Sequence, residues 1–546
     1  MKKKYFYGIA AAILLNIAAT FPSYAGSWLQ TTDGWKYLND NGTPIRSQWI
    51  EDQGKWYYLD VHGMMQTGWL EQNGFWYYLK PDGSMVSGTC EIRGIQYRFS
   101  SDGRLLESPG EPMEYSTQAA PNVEPKMCTA EYWIDKLHGA NQLLLSEEEI
   151  EELNQKILNT PACTMYDLAA LPAQFNGRKM ADAQAAFTSP TGLFLHNQPV
   201  PESYYEAIRT NIKNASVSEA MNLRYGFAVN RTLMKAYPYD DFLSDSKTDM
   251  EWDNLASAPV RVNEPLAVYF YTADGKYALV KSTICSGWVP AADIAVCRDK
   301  AEWLDAQQME QFLVVTGEKV YLEAGTAYPE ASEKCLTMGT TLELASGTDE
   351  LINNRLPWNS YVVKLPHRNS DGSFSQKKAL ISANRDVTVG YLPFHSAEIL
   401  RQAFKCLGNR YGWGGMLNSQ DCSGFVIDIY KCFGLQIPRN TTWQAAMPVA
   451  VTNLTGMTDE EKEAVLTALP PGSILQFPGH EMIYLGKSGG RYYTINDVSS
   501  LGSPLEGDTG TDVLRVRSVI VNDLSTRRKN GKEWFEQLSR AITVWE

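Results

Sequence analysis

The spacing of apolar residues changes along the chain, and each change predicts a different kind of element. Up to about residue 106, short aromatic runs alternate with polar turns, which is typical of β-strands. Ile150, Leu153 and Ile157 then recur at helical spacing and predict an amphipathic helix. Short strands and turns return from about Tyr225, and a helical stripe follows Cys422. The pattern therefore predicts a multidomain chain.

The aromatic runs of residues 26–106 repeat with a period of about 20 residues. Each repeat has a four-residue run followed by a glycine; the runs begin at Trp35, Trp56, Trp76 and Gln96, and the glycines are Gly42, Gly63, Gly83 and Gly103. A short fixed period predicts a stacked solenoid. We expect each unit to be a β-hairpin, with turns such as Asp82-Gly83 and Asp102-Gly103.

These repeats resemble the cell-wall-binding repeats of choline-binding proteins and clostridial toxins. The resemblance implies aromatic cages for a quaternary ammonium group, with cation–π contacts worth about 0.5–2 kcal/mol each. The candidate wall-ligand residues are Trp35, Trp49, Trp56, Tyr58, Trp69, Trp76 and Tyr78. The ligand is either a choline-bearing teichoic acid or a wall carbohydrate, and some of the rings also fill the space between hairpins. Because Thr89 and Gln96 stand where earlier repeats carry Trp, the last repeat is expected to cap the array.

Cys422 is the strongest candidate for a catalytic residue. It lies in the run Asp421-Cys422-Ser423-Gly424, just after the motif Tyr411-Gly412-Trp413-Gly414-Gly415. The apolar residues that follow at helical spacing are Phe425, Val426, Ile429, Tyr430 and Phe433. Cys422 is therefore predicted in the first turn of a helix, where free backbone N–H groups and the helix dipole favour a thiolate. Cys406 and Cys432, by contrast, fit the pattern of buried apolar residues.

His480 is the candidate base for this nucleophile. It begins a strand-like run that ends at Gly486, and a second run, 491–495, follows the turn at Gly489-Gly490. A hairpin would bring Asn496 or Asp497 back beside His480. Cys, His and an orienting Asn or Asp form the set that a cysteine hydrolase needs.

In order and spacing these residues resemble the NlpC-type cell-wall peptidases, which are small papain-related cysteine enzymes. The likeness includes the 411–415 motif, Asp-Cys-Ser-Gly, the segment from Ile437-Pro438-Arg439 to Gln444, the Pro-Gly-His strand and the end of the chain around Trp534. Most members of that family have a second His where this sequence has Asn496. Asn can also orient an imidazole through its side-chain oxygen.

The resemblance implies cleavage of peptidoglycan stem peptides between γ-D-glutamate and the diamino acid. Cys422 would attack the glutamyl carbonyl, His480 would take and return the proton, and Asn496 would orient the imidazole, with Asp497 as the alternative. The backbone N–H of Cys422 and Tyr411 would stabilise the oxyanion. The residues expected to bind substrate are Tyr411, Trp413, Asp421 and Ser423. In similar enzymes the equivalent of Asp421 meets the free amine of an N-terminal L-alanine.

The chain also resembles a multidomain branch of that family. The implied order is a signal peptide (1–25), cell-wall-binding repeats (26–106), a linker (107–127), a helical segment (128–222), a first SH3-like β-barrel (223–300), a second (301–393) and an α+β papain-related NlpC-type domain (394–546). The first barrel is predicted around the hairpin turn Asp274-Gly275. The helical segment contains a predicted capping box, Ser146 to Glu149. In relatives the first barrel closes one end of the active-site groove.

Two other functions fit the same residues. A wall-bound scaffold or adhesion protein with a decayed peptidase site would be consistent with Asn496, although the retained Cys, His, Tyr and Asp-Cys-Ser-Gly argue against decay. The same thiol and fold would also serve acyl transfer to an amine instead of to water.

Composition and charge limit the compartment of the protein and the classes of partner that it could bind. Lys2, Lys3 and Lys4, the apolar run 9–19 and Ala25 before Gly26 are typical of a secretory signal peptide, so we expect an exported protein. The formal net charge of −14 gives no attraction to nucleic acid or an anionic wall. No later run is long enough for a membrane helix, so no membrane insertion is expected. The nine cysteines are scattered and show no metal-ligand spacing, so no metal or cofactor is expected. Cys285 and Cys297 could form a disulfide.

Overall fold

A computed structural model describes residues 26–31, 34–72, 75–92, 95–105, 119–249, 251–345, 350–502 and 513–545. The chain divides into two compact units, Met1–Ser116 and Thr117–Glu546. The predicted signal peptide, 1–25, lies outside the described residues, as does most of the predicted linker.

The first unit is a row of β-hairpins, as the repeat predicts. The strands are β1 Ser27–Thr31, β2 Gly34–Leu38, β3 Gln48–Asp52, β4 Lys55–Leu59, β5 Gly68–Gln72, β6 Phe75–Leu79, β7 Gly88–Ile92 and β8 Ile95–Phe99. They pair antiparallel as β1-β2, β3-β4, β5-β6 and β7-β8. The links between hairpins bind back to the preceding unit, because Met65 N donates to Trp35 O (2.8 Å) and Met85 N donates to Trp56 O (2.7 Å).

Asp82-Gly83 forms a turn, as predicted, but this turn is not the one that joins the paired strands β5 and β6. This turn follows the second strand of its hairpin, where Gly83 N donates to Lys80 O (2.8 Å), and it leads to the next repeat. Gly83 has a φ of 81°, and a Cβ there would lie 2.2 Å from Met65 Sδ of the preceding repeat. Gly103 stands in the same relation to Met85. The recurring glycine therefore lies where the chain turns back from the second strand of a hairpin, and there it also packs against the preceding repeat.

The second unit begins with the helical segment. Its helices are α1 Ala130–Ile134, α2 Glu147–Leu158, α3 Gly177–Ala185 and α4 Glu202–Lys213, and its short strands are β9 Gln174–Phe175, β10 Phe194–Leu195, β11 Gln198–Pro199 and β12 Met221–Asn222. Ser146 caps α2: its Oγ accepts from Glu149 N (3.2 Å), and Ser146 N donates to the Glu149 carboxylate (2.7 Å). The predicted linker extends too far, because Asn122 O accepts from the Tyr493 hydroxyl (2.9 Å) and Met127 is buried.

A seven-stranded antiparallel sheet follows. Its strands are β13 Arg224–Ala228, β14 Thr232–Lys235, β15 Ala256–Val260, β16 Pro265–Tyr271, β17 Tyr277–Lys281, β18 Ser286–Pro290 and β19 Ile294–Val296, in the order β15-β14-β18-β17-β16-β13-β19. Asp274-Gly275 lies in the hairpin between β16 and β17, as predicted. We call this sheet the first barrel.

The region 301–393 forms smaller sheets around its own core. Its elements are α5 Lys300–Asp305, β20 Phe312–Val315, β21 Lys319–Tyr321, β22 Cys335–Thr337, β23 Thr341–Glu343, β24 Ser360–Arg368, β25 Phe374–Ser382 and β26 Val387–Val389. The sheets are β23-β20-β26, β21-β22 and β24-β25. Leu313, Val363 and Ile381 lie in their shared core. That this region is a second SH3-like barrel stays a prediction.

The C-terminal domain packs helices on a six-stranded antiparallel sheet. The helices are α6 Ser396–Lys405, α7 Cys422–Lys431, α8 Thr441–Gln444, α9 Asp459–Ala468 and α10 Trp534–Gln537, and the strands are β27 Ala450–Asn453, β28 Ile474–Phe477, β29 His480–Ser488, β30 Arg491–Gly502, β31 Val513–Asp523 and β32 Arg540–Thr543. The strand order is β27-β32-β28-β29-β30-β31. Phe425 and Ile429 of α7 share a core with Ile483 of β29. Among the described residues, no helix is long and apolar enough to cross a membrane.

Candidate active site

Cys422 is the first residue of α7, as its sequence context predicts. Asp421 caps the helix, with Oδ1 accepting from Gly424 N at 2.9 Å. Only 9% of Cys422 is exposed. Its thiol meets the backbone amide of Glu481, the residue after His480. No hydrogen bond joins Cys422 Sγ to His480 in the described part of the chain; such contacts are often long before substrate binds.

Arg439 pairs with Asp421 through both carboxylate oxygens. Arg439 donates from Nη2 to Oδ2 at 2.6 Å and from Nη1 to Oδ1 at 3.1 Å, and Gly414 N donates to Oδ2 at 3.0 Å. Arg439 Nη1 also donates to Ser423 Oγ (2.7 Å). Burial opposes ionisation of Asp421, yet Arg439 and the backbone N–H groups hold its pKa below the usual value. The charge of Asp421 is thus already paired, a contact that the sequence motif does not predict.

Trp252 is an aromatic residue beside the candidate site that the sequence did not reveal. It lies between β14 and β15 of the first barrel and stacks on Trp413, with ring centroids 5.0 Å apart and planes at 25°. It also stacks on Tyr411, at 5.9 Å and 9°. Tyr411 is buried, whereas 38% of Trp413 is exposed. The first barrel therefore supplies one aromatic wall beside the predicted substrate residues.

The two glycines of the 411–415 motif let the barrel approach this closely. Gly414 and Gly415 have φ values of 63° and 96°. A Cβ on Gly414 would lie 2.8 Å from Ala256, and one on Gly415 would lie 2.7 Å from Pro259. A buried ion pair between Arg261 of the barrel and Asp428 of α7 also joins the two domains.

The hairpin of β29 and β30 brings Asn496 to His480. His480 Nε2 and Asn496 Oδ1 are 2.9 Å apart, and both residues are buried. Asp497 points elsewhere, and neither of its carboxylate oxygens has a hydrogen-bond partner in the described residues. Burial raises the pKa of Asp497 well above its usual value. Of the two alternatives, the structure therefore places Asn496, and not Asp497, against the imidazole.

Burial reverses the expected protonation of the thiol. It raises the pKa of the Cys422 thiol well above its usual value, and the negative charge of Asp421 raises it further. Burial also lowers the pKa of His480 to about 4, although the hydrogen bond that the ring donates to Asn496 Oδ1 opposes this. The resting pair is thus a thiol and a neutral imidazole. The helix N-terminus does not outweigh the loss of solvent.

Glu481 is a fully buried carboxyl group beside the nucleophile. Its Oε2 accepts from Gln476 Nε2 at 2.8 Å, and Oε1 has no partner among the described residues. Burial raises the pKa of Glu481 to about 8. The sequence does not single out the Glu481 carboxyl, because Glu481 lies within a mostly apolar run that predicts a strand. The two cysteines considered for a disulfide, Cys285 and Cys297, are both free thiols.

The predicted wall-ligand residues differ in exposure. Trp35, Trp69 and Trp76 are exposed by about 40% or more, Trp49, Trp56 and Tyr78 are half-buried, and Tyr58 is buried. Each first-strand Trp meets a Tyr of the next hairpin at a centroid distance of 4.9–5.0 Å; the pairs are Trp28–Tyr57, Trp49–Tyr77 and Trp69–Tyr97. Trp28 and these three tyrosines are not among the wall-ligand residues predicted from the sequence. The signal was their shared position in the repeat.

Family comparisons agree with this organisation. The NlpC/P60 family matches residues 408–498, the choline-binding repeat matches 45–89, and the SH3 domain of SH3b1 type matches 241–290. No curated protein sequence matches the chain.

Solved structures add a likeness of fold. An NlpC/P60 endopeptidase from Photobacterium damselae subsp. piscicida is 16% identical with a TM-score of 0.59, over 76% of this chain and 97% of that one. The phage Cp-1 pneumococcal endolysin complexed with choline is 35% identical, over 16% of this chain and 25% of that one, with a TM-score of 0.15. Choline-binding protein F of Streptococcus pneumoniae is 34% identical over 15% of this chain and 28% of that one, with a TM-score of 0.14. The chain thus spans about a quarter of these two choline-binding proteins.

The matched segments coincide with the hairpin row, the first barrel and the helix–sheet domain that holds Cys422. The chain therefore combines N-terminal choline-binding repeats, an SH3b1-type domain and a C-terminal NlpC/P60 domain.

Proposed function

We propose that the protein is an exported, wall-associated cysteine peptidase that cuts peptidoglycan stem peptides between γ-D-glutamate and the diamino acid. The observation that carries the proposal is the position of Cys422. It starts a buried helix beside the strand that holds His480, and the His480 ring is bonded to Asn496. The choline-binding repeats imply association with the cell wall.

The reaction begins from the neutral pair. His480 donates from Nε2–H to Asn496 Oδ1, which leaves Nδ1 free to take the proton of Cys422 as its sulfur attacks the glutamyl carbonyl. The protonated imidazole then gives that proton to the leaving amine, and a thioester remains on Cys422. Water, deprotonated by His480, hydrolyses the thioester and restores the thiol.

Tyr411 and the Cys422 backbone are the proposed oxyanion donors. Burial, reinforced by the nearby Cys422, raises the pKa of Tyr411 well above its usual value, so its hydroxyl keeps its proton. A donor of this kind is typically worth about 2.7–4 kcal/mol in the transition state. Trp413 and Ser423 line the groove, and Asp421 is held in place by Arg439.

The barrel wall favours short substrates with a free N-terminus. Trp252 stands over Trp413 and Tyr411 at one end of the groove, where a glycan attached to L-alanine would have to pass. Because the Asp421 charge is already paired with Arg439, the preference for L-Ala-γ-D-Glu-diamino acid peptides rests mainly on this wall.

The repeats are proposed to hold choline groups of wall teichoic acid. Their exposed tryptophans and the Trp–Tyr contacts between hairpins offer π-faces for a quaternary ammonium group. A wall carbohydrate is the alternative ligand, since the same rings stack on sugars.

Mass spectrometry of muropeptides, before and after incubation with the protein, tests the proposal. We expect loss of intact stem peptides and new fragments that begin at the diamino acid. Cys422→Ala should abolish the cleavage, whereas Cys297→Ala, which changes a buried thiol next to β19 of the first barrel, should retain it. Undiminished cleavage by Cys422→Ala would contradict the mechanism. Transfer products formed with added amines would instead indicate an acyltransferase.

A further inference from the structure

The bond between His480 and Asn496 belongs to a longer buried relay. Asn496 Nδ2 and Asn522 Oδ1 are 2.6 Å apart. Asn522 Nδ2 in turn donates to the backbone carbonyl of Asp523 (3.0 Å) and to Thr526 Oγ1 (3.1 Å). His480, Asn496 and Asn522 are all buried, and Asn522 lies on β31, the neighbour of the strand that holds Asn496. We call these hydrogen bonds the amide relay.

A backbone carbonyl sets the direction of the amide relay. The Asp523 oxygen only accepts, so the Asn522 atom that faces it is the NH₂ group. The Asn522 oxygen then faces Asn496, which must present its own NH₂ group there. The Asn496 oxygen is left for His480, and the imidazole must donate from Nε2–H.

An asparagine side chain needs a neighbouring group that fixes its orientation, and a carboxylate does not. A carboxylate only accepts, whereas the Asn amide offers an oxygen on one side and NH₂ on the other. If the Asn496 amide turned over, its NH₂ group would face His480 Nε2 and favour the tautomer with hydrogen on Nδ1. That tautomer has no lone pair on Nδ1 to take the thiol proton.

We infer that Asn522 is a positioning residue that fixes the amide of Asn496 and, through it, the Nε2–H tautomer of His480. The effect of Asn522 on catalysis rests on the proposed function. The tautomer of His480 does not, because it can be measured in the protein without substrate. Asn522 touches neither the thiol nor the imidazole in the described contacts and acts through Asn496.

The kinetic test uses Asn522→Leu, which keeps much of the side-chain volume but none of the hydrogen bonds. We expect kcat for a stem peptide to fall about 10–100-fold, the usual cost of losing an outer orienting group, with little change in KM. Asn522→Asp, protonated in this dry position, still accepts from Asn496 and donates to Asp523, so it should recover most of the activity. Thr543→Val is the matched control and should leave kcat unchanged, because Thr543 is buried on β32 of the same sheet and its hydroxyl contacts Ser473 Oγ (3.3 Å), outside the amide relay.

Coupling shows whether Asn522 acts through Asn496. The double variant Asn496→Ala/Asn522→Leu should be no slower than Asn496→Ala alone, because the second change has nothing left to orient. Multiplied losses would overturn the inference. Thermal unfolding of each variant checks that the fold is intact, and Asn522→Ala replaces the leucine variant if that one does not fold.

The decisive readout is ¹⁵N NMR of the His480 ring in the inactive Cys422→Ala background. The parent should show the Nε2–H tautomer, and Asn522→Leu should shift the ring toward a mixture. A parent ring with hydrogen on Nδ1, or no change in Asn522→Leu, would overturn the inference. If the ring behaves as expected but no stem peptide is cut, the proposed function fails and the positioning role stands.

Discussion

Trp252 of the first barrel lies 5.0 Å from Trp413 of the NlpC/P60 domain, ring over ring, although the two residues are far apart in sequence. This contact places an aromatic ring of the first barrel beside the candidate active site. A substitution in the barrel should therefore change which peptides are cut without touching the reacting groups.

Trp252→Ala should relax the preference for a free N-terminus. The comparison is kcat/KM for L-Ala-γ-D-Glu-diamino acid and for its N-acetylated form. We expect the ratio to be high in the parent and to approach one in the variant, because the wall that excludes the blocked end is gone. Removing the aromatic pair should also cost about 0.5–1.5 kcal/mol of stability beyond the lost burial.

Trp358→Ala is the control for this experiment, since Trp358 is 76% exposed and lies outside the groove. A ratio near one in the parent would show that the groove is open at that end. An unchanged ratio in Trp252→Ala would assign the selectivity to other residues.

Asn496→Ala and Asp497→Asn should differ in their effect on catalysis. The first removes the acceptor of the His480 ring proton and should lower kcat about 10–100-fold while leaving measurable activity. The second replaces a carboxyl that has no contact with His480, so kcat should hardly change. Steady-state kinetics on one soluble stem peptide decides between them. A larger loss in Asp497→Asn would transfer the orienting role to that residue.

Glu481 should make the protein less stable as the pH rises. A carboxyl whose pKa is raised on folding holds its proton more tightly in the folded chain. The free energy of unfolding therefore falls between pH 4.5, the unfolded value, and about 8, the folded value. Urea unfolding at pH 5 and pH 8 should show a loss on the order of a few kcal/mol across this window.

Glu481→Gln and Glu481→Leu should both flatten that pH dependence, because neither side chain titrates. Only the glutamine variant keeps a hydrogen bond with Gln476, so it should be the more stable of the two. Titration of Asp497, whose pKa burial also raises, acts in the same sense, and titration of His480 acts in the opposite sense below pH 6.5. Both are common to all three proteins, so the comparison isolates the part of the slope that Glu481 contributes. An unchanged slope in both variants would mean that Glu481 ionises normally in the folded chain.

A chain that begins at Thr117 should separate anchoring from catalysis. It keeps Asn122 and Met127, which pack on the second unit, and loses the repeats. We expect it to cut soluble stem peptides at the full-length rate but to stop sedimenting with cell walls. Equal sedimentation of both chains would contradict the anchoring role.

Free choline identifies the ligand in the same assay. Release of the full-length protein by choline indicates choline recognition, and failure of choline to release it favours carbohydrate. Full-length protein with Trp35→Ala and Trp76→Ala should also lose sedimentation, because both exposed rings belong to the predicted cages.

Local signals in the sequence were sufficient for the repeats, α7 and the hairpin of β29 and β30. A period, a helical stripe and a turn between two strands each lie within a short stretch of chain, so they predict structure without long-range contacts. The approach of Asn496 to His480 follows from that hairpin alone. The position of the recurring Asp-Gly turns did not follow, because a glycine with positive φ fits a link between hairpins as well as a reversal within one.

The remaining features of the site depend on tertiary contacts. Trp252 reaches the groove because the first barrel packs against Gly414 and Gly415. Arg439 neutralises Asp421 because the fold brings the two residues together, and the sequence motif around Cys422 does not predict that contact. The protonation of Cys422 also had to come from the structure, since the first turn of a helix favours a thiolate only while solvent or cations remain nearby.

Two successive junctions of the array are built alike, because Gly83 receives Met65 and Gly103 receives Met85. The equivalent Gly63 instead lies against Ile45 and Arg46. A whole repeat of the glycine–methionine kind can therefore be gained or lost without creating a new interface, whereas a deletion inside one repeat would separate a methionine from its glycine. The number of repeats can then set how tightly the array binds a surface that carries many identical ligands. Avidity rises with the number of binding sites, while the affinity of each aromatic cage stays the same.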